Sequence, residues 1–133
     1  LADYFIPAYP FLSDPVLALS GDTIAERMRS LSSRVAGQLI VTHGENGAYY
    51  PHDGTLYQVR PPEALIRDTT GAGDNFHAAF AFALIRDFDL HAAVRFAVAV
   101  ATLSCRAYGG RAGLPEFEEA RKAMETLESR RLV

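Results

Sequence analysis

The segment from Arg67 to Phe80 reads RDTTGAGDNFHAAF and places two acids, two hydroxyls and a Gly-Ala-Gly turn directly before an apolar, helix-forming run. Gly71 and Gly73 lack side chains, so the backbone there can approach a ligand closely and adopt torsion angles that other residues avoid. The helix that follows directs its free amides and the positive end of its dipole at whatever lies over the turn. The turn is therefore a candidate anion-binding site.

Asp74 follows this turn and lies in the first turn of the predicted helix. The helix dipole stabilises an ionised carboxylate there by a few tenths to about 1 kcal/mol. Such a carboxylate beside an anion site can accept a proton from a substrate hydroxyl while the amides hold a transferring phosphoryl group. Asp74 is a candidate catalytic base. An acid in the first helical turn is also common as a simple cap, and that interpretation stays open.

Other phosphate-binding and nucleophile motifs fit the segment less well. A P-loop requires Gly-Lys followed by Ser or Thr, and the dinucleotide fingerprint requires a third glycine where Phe76 stands. The sequence contains no Gly-x-Ser-x-Gly nucleophile elbow. A dinucleotide-dependent oxidoreductase is therefore a distant alternative.

Composition excludes several classes of partner. The 133 residues are 49% hydrophobic, enough for one modest domain with a core. A formal net charge of −3, with scattered basic residues, argues against a nucleic-acid partner. The longest apolar stretch is about ten residues, well short of the roughly 18 needed to span a bilayer, so no membrane partner is expected. The single cysteine, Cys105, excludes an internal disulfide, which favours a cytoplasmic location. Cys105 itself is typical of a small core residue.

Local patterns predict the elements that position the turn. They indicate a strand at Tyr4–Ile6, a loop at 9–13, a capped helix from Thr23 to about Ser33, a buried parallel strand at Gln38–Thr42, and a hairpin around Asp53-Gly54. Helical spacing begins at Asp74, again from Leu90 to about Tyr108 with Gly109-Gly110 as its stop, and again at Pro115. This order of elements predicts an α/β fold.

The string from Asp68 to Asp74, followed by a Phe-containing helix, closely resembles the second signature of the ribokinase-like (PfkB) sugar-kinase family. Thr42-x-Gly44-x-x-Gly47, after a buried strand, is similar to the nucleotide loop of that family. The resemblance implies a three-layer ribokinase-like α/β fold with parallel strands, a β-hairpin and flanking helices. It covers residues 1–133 as a single partial domain, the C-terminal, nucleotide-binding half of such a kinase. Because the chain starts at Leu1, we expect a piece of a longer protein, whose N-terminal half and lid are absent here.

The resemblance also implies roles for individual residues. Asp74 matches the catalytic base, and Gly71, Ala72 and Gly73 match the backbone anion hole for the transferred phosphoryl group. Thr42, Gly44 and Gly47 match the loop at the ATP. Members that use a monovalent cation such as K⁺ hold it at positions that correspond here to Asp68, Thr70, Ser104, Ala107 and Gly109.

The implied activity is ATP-dependent phosphorylation of a hydroxyl of a sugar or sugar derivative, with Mg²⁺ arriving on the nucleotide. The sugar in this family is held mainly by the N-terminal half, so its identity is not readable here. A homodimer is left open, and the isolated piece is expected to be inactive.

Some positions depart from the family pattern. Ala8 and Phe11 stand where many members carry an Asn-x-x-Glu pair, and Gly113 where a hydroxyl residue often completes the cation site. Asn75 replaces a small hydroxyl residue and is expected to face solvent or substrate. The first departure motivates the alternative of a catalytically impaired nucleotide-binding or regulatory module of the same fold.

Two histidines lie near the candidate site. His77 is one turn beyond Asp74 and could touch substrate or phosphate, and His43 lies inside the nucleotide loop and could line the adenine side. An ordinary structural position is the more frequent role for each. The four histidines lack metal-ligand spacing, so no zinc site is proposed.

Overall fold

Short strands occupy the first part of the chain and its last described residues, and helices fill most of the remainder. The computed structural model describes residues 2–132. They divide into two compact units. The first contains the described residues up to Gln58 and those from Arg130 onward, and the second is Val59–Ser129.

Two sheets form the strand framework of the first unit. β1 (Tyr4–Phe5) and β2 (Gln38–Leu39) pair in parallel. The second sheet has the strand order β3-β4-β5-β6, in which β3 pairs with β4 and β5 with β6 in antiparallel fashion. Its members are β3 (Val41–Thr42), β4 (Ala48–His52), β5 (Thr55–Val59) and β6 (Arg130–Arg131).

The predicted strand at Gln38–Thr42 is present, its centre is buried, and it pairs in parallel with the segment from Tyr4 to Ala8. Gln38 and Leu39 lie beside β1, and Thr42 pairs in parallel with Ala8. On the other edge, Val41 and Thr42 also pair antiparallel with β4. The prediction of a parallel strand is thus confirmed, and the antiparallel pairing with β4 on its other edge is a feature that the prediction did not include. A chain segment with neighbours on both sides can carry both pairings, and the hairpin after it supplies the antiparallel one.

α1 (Ile24–Ser32) begins at the predicted capping box. The hydroxyl of Thr23 accepts from the amide of Glu26, and the Glu26 carboxylate accepts from the amides of Thr23 and Asp22. The hydrogen bond from the Thr23 amide is the largest cause that lowers the pKa of Glu26. The helix packs Met28 and Leu31 into a core shared with residues from the strands and from the 3₁₀ helix Tyr9–Ser13, namely Leu12, Leu39, Val41, Tyr49 and Leu56.

The predicted hairpin is also confirmed. Asp53 and Gly54, between β4 and β5, have φ of 48° and 75°, the left-handed torsions that a two-residue hairpin turn of type I′ requires. Two other details of this unit differ from the sequence expectation. Tyr9–Ser13 is a 3₁₀ helix with Leu12 buried rather than an irregular loop, and β6 was not predicted.

Three helices build the second unit: α2 (Ala72–Ile85), α3 (Leu90–Ser104) and α4 (Phe117–Glu125). α2 starts two residues earlier than predicted, because Gly71 already serves as its N-cap. α3 ends at Ser104, so the prediction that it continues to Tyr108 and stops at Gly109-Gly110 is wrong. α4 starts after Pro115, with Glu116 as its N-cap.

α3 is the central element of this unit, and residues on several of its faces are buried. Phe76, Phe80 and Ala83 of α2 are buried as well. Phe82, Phe96 and Phe117, one from each helix, lie with ring centroids 5.8–5.9 Å apart. The predicted α/β class is confirmed. Between residues 2 and 132, no helix combines the length and apolar character that crossing a membrane would require.

Candidate active site

The Gly-Ala-Gly turn lies at the N-terminus of α2, as the sequence predicts. Gly71 has φ 75° and ψ 4°, a left-handed conformation that favours glycine. A Cβ at this position would also lie 3.3 Å from Cα of Gly110, so a side chain has little room. The amide of Ala72 donates to the carbonyl of Thr69 at 3.1 Å, and the amide of Asn75 donates to the carbonyl of Gly71 at 2.8 Å. These contacts shape the turn without a ligand.

The amides of Gly73 and Asp74 remain available at this helix end. Neither amide has a hydrogen-bond partner within residues 2–132. A Cβ built on Gly73 would meet no atom within 4 Å, so the space beside it is open. Because unpaired amides at a helix N-terminus attract negative charge, the turn can receive an anion. The amide of Ala72, by contrast, is already engaged with Thr69.

Asp74 is exposed and is the third residue of α2. Across residues 2–132 its carboxylate forms no hydrogen bond and no ion pair. A carboxylate used only as a helix cap would accept from a nearby backbone amide, as Asp89 does from Ala92 at the start of α3. The oxygens of Asp74 are therefore available to accept a hydrogen bond from a group outside the chain.

Asp68 connects the turn to the loop that follows α3. Its Oδ1 accepts from the amide and hydroxyl of Thr70 at 2.9 and 2.7 Å, and its Oδ2 accepts from the amide of Gly109 at 2.8 Å. These bonds lower the pKa of Asp68, with the Thr70 hydroxyl as the largest cause, followed by the amides of Gly109 and Thr70. Hydrogen bonds to a carboxylate favour its charged form. Asp68 therefore links the loop before α2 to the loop after α3 through hydrogen bonds.

Asn75 provides a second connection to the same loop, by donating from Nδ2 to the carbonyl of Gly110 at 3.0 Å. The expectation that Asn75 simply faces solvent or substrate needs correction, because its side chain is half-buried and engaged within the protein. A small hydroxyl side chain has a shorter reach than the Asn75 amide that makes this bond.

The predicted cation positions fall on these two loops. Asp68, Thr70 and Gly109 are brought together by the bonds just described. Ser104 ends α3, and Ala107 follows it on the same segment, which the amides of Arg67 and Asp68 contact through the carbonyl of Cys105. Within residues 2–132 no three His, Cys, Asp or Glu side chains form a metal-binding cluster. Any cation at these loops would depend mainly on backbone carbonyls.

Gly113, which the sequence comparison singled out as a departure, has a packing role. A Cβ at this position would overlap the carbonyl oxygen of Ser104, so no side chain fits without movement of the backbone. The carbonyl of Gly113 also accepts from Nε of Arg106 at 3.0 Å, and Arg106 forms an ion pair with Glu119 of α4. Arg106 therefore links Gly113, near the end of the loop after α3, to Glu119 of α4.

The predicted nucleotide loop belongs to the first unit. Thr42 ends β3, Gly44–Asn46 forms a 3₁₀ turn, and Gly47 adopts φ 82° and ψ −121°, a backbone conformation open essentially to glycine. Hydrogen bonds from the His43 amide to the Gly47 carbonyl at 2.7 Å and from the Asn46 amide to the His43 carbonyl at 2.8 Å close the loop. A Cβ on Gly44 would meet no atom within 4 Å, so this side of the loop is open.

Two residues that the sequence analysis did not single out hold this loop. Gln58, which is buried, donates from Nε2 to the carbonyl of Asn46 at 2.9 Å. Tyr9 lies against His43 with the two rings nearly parallel, at 8°, and their centroids 3.7 Å apart. Both contacts span many residues of chain, so no local pattern could have revealed them.

The two positions that lack the polar pair of the family are occupied by packing residues. Ala8 pairs with Thr42 through an isolated parallel bridge, and its carbonyl accepts from the amide of Phe11. The Phe11 ring meets Phe5 edge-on at 5.5 Å and packs against the core of the first unit. This segment supplies apolar contacts where the family pattern has polar ones.

The candidate histidines occupy defined positions. His77 is exposed, and its Nδ1 lies 2.7 Å from the carbonyl of Gly73, so this nitrogen carries the proton and donates. In His43, the Nδ1 atom is buried and has no hydrogen-bond partner among the described residues. Burial is the largest cause that lowers the pKa of His43, and Glu45 acts in the opposite direction.

An open groove of about 560 Å³ lies elsewhere in the first unit, between α1 and the β4–β5 hairpin. None of the predicted site residues lines it. Among the polar side chains that line it, Gln38 is engaged in the fold, since it donates to the carbonyls of Leu39 and Pro51. We do not assign the candidate chemistry to this groove.

An α/β chain with an open glycine turn at a helix N-terminus has the arrangement typical of phosphate-binding proteins. The family model described as pfkB family carbohydrate kinase matches residues 15–116. The chain belongs to this family. The family predicted from the sequence is thereby confirmed.

Individual relatives agree with this assignment. The ribokinase of Lactococcus lactis is 35% identical over 102 residues, which are 76% of this chain and 34% of that protein. The structure of Arabidopsis thaliana ribokinase complexed with ribose and ATP has a TM-score of 0.78 at 28% identity, and the match covers 92% of this chain and 41% of that one. An Escherichia coli protein solved with ATP and Mg²⁺ has a TM-score of 0.74 at 27% identity, covering 94% of this chain and 40% of that one. The ribokinase-like α/β fold is confirmed.

These matches also define how much of a relative is present. The chain spans about a third of the length of the Lactococcus lactis ribokinase.

Proposed function

We propose that the protein containing this chain catalyses ATP-dependent phosphorylation of a hydroxyl group of a sugar or sugar derivative. Membership of the pfkB family supports the class of reaction. The observation that carries the proposal is the exposed carboxylate of Asp74, which has no partner among residues 2–132, beside the available amides of Gly73 and Asp74.

In this proposal Asp74 is the catalytic base. Its carboxylate takes the proton from the acceptor hydroxyl as that oxygen attacks the γ-phosphorus of ATP. The new bond joins the sugar oxygen to phosphorus, and the bond from phosphorus to the β,γ-bridging oxygen breaks to release ADP. A base held in place for proton transfer typically contributes about 10²–10⁴-fold to the rate.

The Gly71–Gly73 turn is the proposed anion hole for the phosphoryl group during its transfer from ATP to the acceptor hydroxyl. The amides of Gly73 and Asp74, which have no hydrogen-bond partner in the described part of the chain, are the best donors. Because they are fixed by the helix before the ligand arrives, they can stabilise developing charge without reorganisation. The amide of Ala72 contributes less in this proposal, since it already donates to Thr69.

For the nucleotide, we propose contacts with the loop of Thr42, Gly44 and Gly47. The open face at Gly44 supports this role, because a ligand can approach the backbone there without meeting a side chain. Mg²⁺ would arrive on the ATP phosphates and keep water ligands, which fits a chain whose described residues hold no carboxylate cluster for a metal. The ion supplies charge neutralisation at the phosphates when bound.

A monovalent cation such as K⁺ is a further proposal for the loops of Asp68, Thr70, Ser104, Ala107 and Gly109. Its support is the geometry of Asp68, which already gathers Thr70 and Gly109 around one ionised carboxylate. The same carboxylate explains the loop structure without a cation, so the role is tested by comparing activity in K⁺ and in a large organic cation at equal ionic strength.

A second candidate is a nucleotide-binding or regulatory module without catalysis, motivated by the apolar packing at Ala8 and Phe11. A calorimetric titration of the whole protein with ATP and Mg²⁺, followed by a screen of pentoses, hexoses and sugar derivatives for ADP release, separates the two. Binding with sugar-dependent ADP release supports the kinase. Binding without turnover on any sugar supports the module, and no nucleotide binding contradicts both.

A further inference from the structure

We propose that Tyr9 is a positioning residue for the nucleotide loop, acting through its stack on His43. The stack substitutes an aromatic contact for polar support in the segment 8–11, and it sets the position of the loop from Thr42 to Gly47. The consequence for ATP rests on the proposed function, whereas the effect on the loop itself does not.

Strand register explains why these two rings meet. The amide of Thr42 donates to the carbonyl of Pro7 at 3.0 Å, and Ala8 pairs with Thr42 in a parallel bridge. Tyr9 and His43 are each the next residue along. Neighbouring strands lie about 4.8 Å apart, so residues at equivalent parallel positions bring their side chains side by side. With a centroid distance of 3.7 Å and an interplanar angle of 8°, the two rings stack face to face.

The backbone of His43 closes the loop, so the ring and the loop move together. Its amide donates to Gly47 at 2.7 Å, and its carbonyl accepts from Asn46 at 2.8 Å. Gly44, whose Cβ position is open, lies between these two closing bonds. A shift of the His43 ring therefore moves the backbone around Gly44, the part of the loop that a ligand can approach.

The His43 ring depends on aromatic contacts for its position. Its Nδ1 is buried without a hydrogen-bond partner among residues 2–132. Tyr49 contacts it only in a tilted arrangement, with centroids 5.8 Å apart. Elsewhere the loop is anchored by Gln58, which bonds to Asn46 rather than to His43. Tyr9 thus supplies the close face-to-face contact that determines where His43 lies.

The test compares three variants in the whole protein. Tyr9→Leu removes the ring, and Tyr9→Phe keeps it. Phe11→Leu is the matched control, because Phe11 lies in the same 3₁₀ helix and packs against the same core as Tyr9, but its ring contact is with Phe5 rather than with His43. If Tyr9→Leu fails to fold, Tyr9→Met, which keeps apolar volume without a ring, takes its place.

We expect the Tyr9→Leu change to raise KM for ATP by about 2- to 10-fold, the range that corresponds to one aromatic pair. KM for the sugar should stay within twofold of wild type, and Tyr9→Phe should restore KM for ATP. In two-dimensional NMR spectra the amide signals of Gly44 and Gly47 should shift in Tyr9→Leu and stay in place in Phe11→Leu.

Equal effects of Tyr9→Leu and Phe11→Leu on KM for ATP would overturn the inference, because they would report general loss of packing. So would unchanged Gly44 and Gly47 signals in Tyr9→Leu. If the wild-type protein does not bind ATP, the proposed function fails, and the NMR comparison without nucleotide still decides whether Tyr9 positions the loop.

Discussion

The side-chain amide of Asn75 donates to the carbonyl oxygen of Gly110 at 3.0 Å, which ties the first turn of α2 to a loop 35 residues further along the chain. The neighbouring Gly109 donates its amide to Asp68, which precedes the same helix. The glycine turn is thus held from both sides by one loop. Its shape depends on that loop as well as on its own torsion angles.

Replacing Asn75 with Ala should loosen the loop after α3 more than it lowers global stability. One lost hydrogen bond costs about 1 kcal/mol, and the higher helix propensity of Ala offsets about half of this. We expect amide hydrogen exchange at Gly109 to accelerate while the unfolding midpoint in urea changes little. Lys122→Ala, on the exposed face of α4, is the control. Unchanged Gly109 exchange would show that the Asn75 bond does not hold the loop.

Replacing Asp74 with Asn should abolish the base while keeping the side-chain shape. We expect kcat to fall by about 10²–10⁴-fold. The dissociation constant for ATP, measured by calorimetry, should change little, since the amides of the turn remain. Asp87→Asn, just beyond α2, is a matched control, because Asp87 has φ 60° and Asn tolerates that conformation. Normal turnover in Asp74→Asn would remove this residue from the mechanism.

The stability contributed by Asp68 should depend on pH. Its pKa is lowered in the folded state, so folding stabilises the ionised carboxylate relative to the unfolded chain. The contribution is therefore fully present above the unfolded value of about 3.9 and is lost as the pH falls through the lower folded pKa. Urea unfolding of wild type and Asp68→Asn from pH 7 to pH 2 should show a gap that closes at the acidic end. A gap of constant size would mean that ionisation of Asp68 does not contribute.

Two glycine substitutions should separate function from folding. Gly73→Ala places a methyl group in open space, so thermal stability should stay close to wild type while phosphoryl transfer slows. Gly113→Ala drives its Cβ against the carbonyl of Ser104 and should lower stability by about 1–3 kcal/mol. Differential scanning calorimetry and kcat are measured on both variants. A Gly73→Ala enzyme with full activity would argue against a ligand beside that residue.

Short-range patterns in the sequence were enough to predict several features correctly. The capping box at Thr23 and Glu26, the hairpin turn at Asp53-Gly54 and the helix after the glycine turn all depend on residues within a few positions of one another. Hydrogen bonds and steric limits at this range do not need the rest of the fold. The signature from Asp68 to Asp74 identified the family for the same reason, since its residues are contiguous.

Element ends and pairings were predicted less well, because distant residues decide them. α3 stops at Ser104 rather than near Gly109, and the carbonyl of Cys105 just beyond it accepts from the amides of Arg67 and Asp68. The antiparallel pairing of Val41 and Thr42 with β4 depends on which strand lies at the edge opposite their parallel neighbour. Periodicity within a segment carries no information about such neighbours.

By itself the sequence determined the local chemistry: a glycine turn, a helix start and a carboxylate in its first turn, all encoded within Asp68–Asp74. The tertiary structure alone decided that Asp68 and Asn75 bind the loop of Gly109 and Gly110, and that Tyr9 stacks on His43. The physical reason is chain separation. Contacts between residues far apart in sequence form only when packing brings their backbones together, and no pattern at either end specifies the partner.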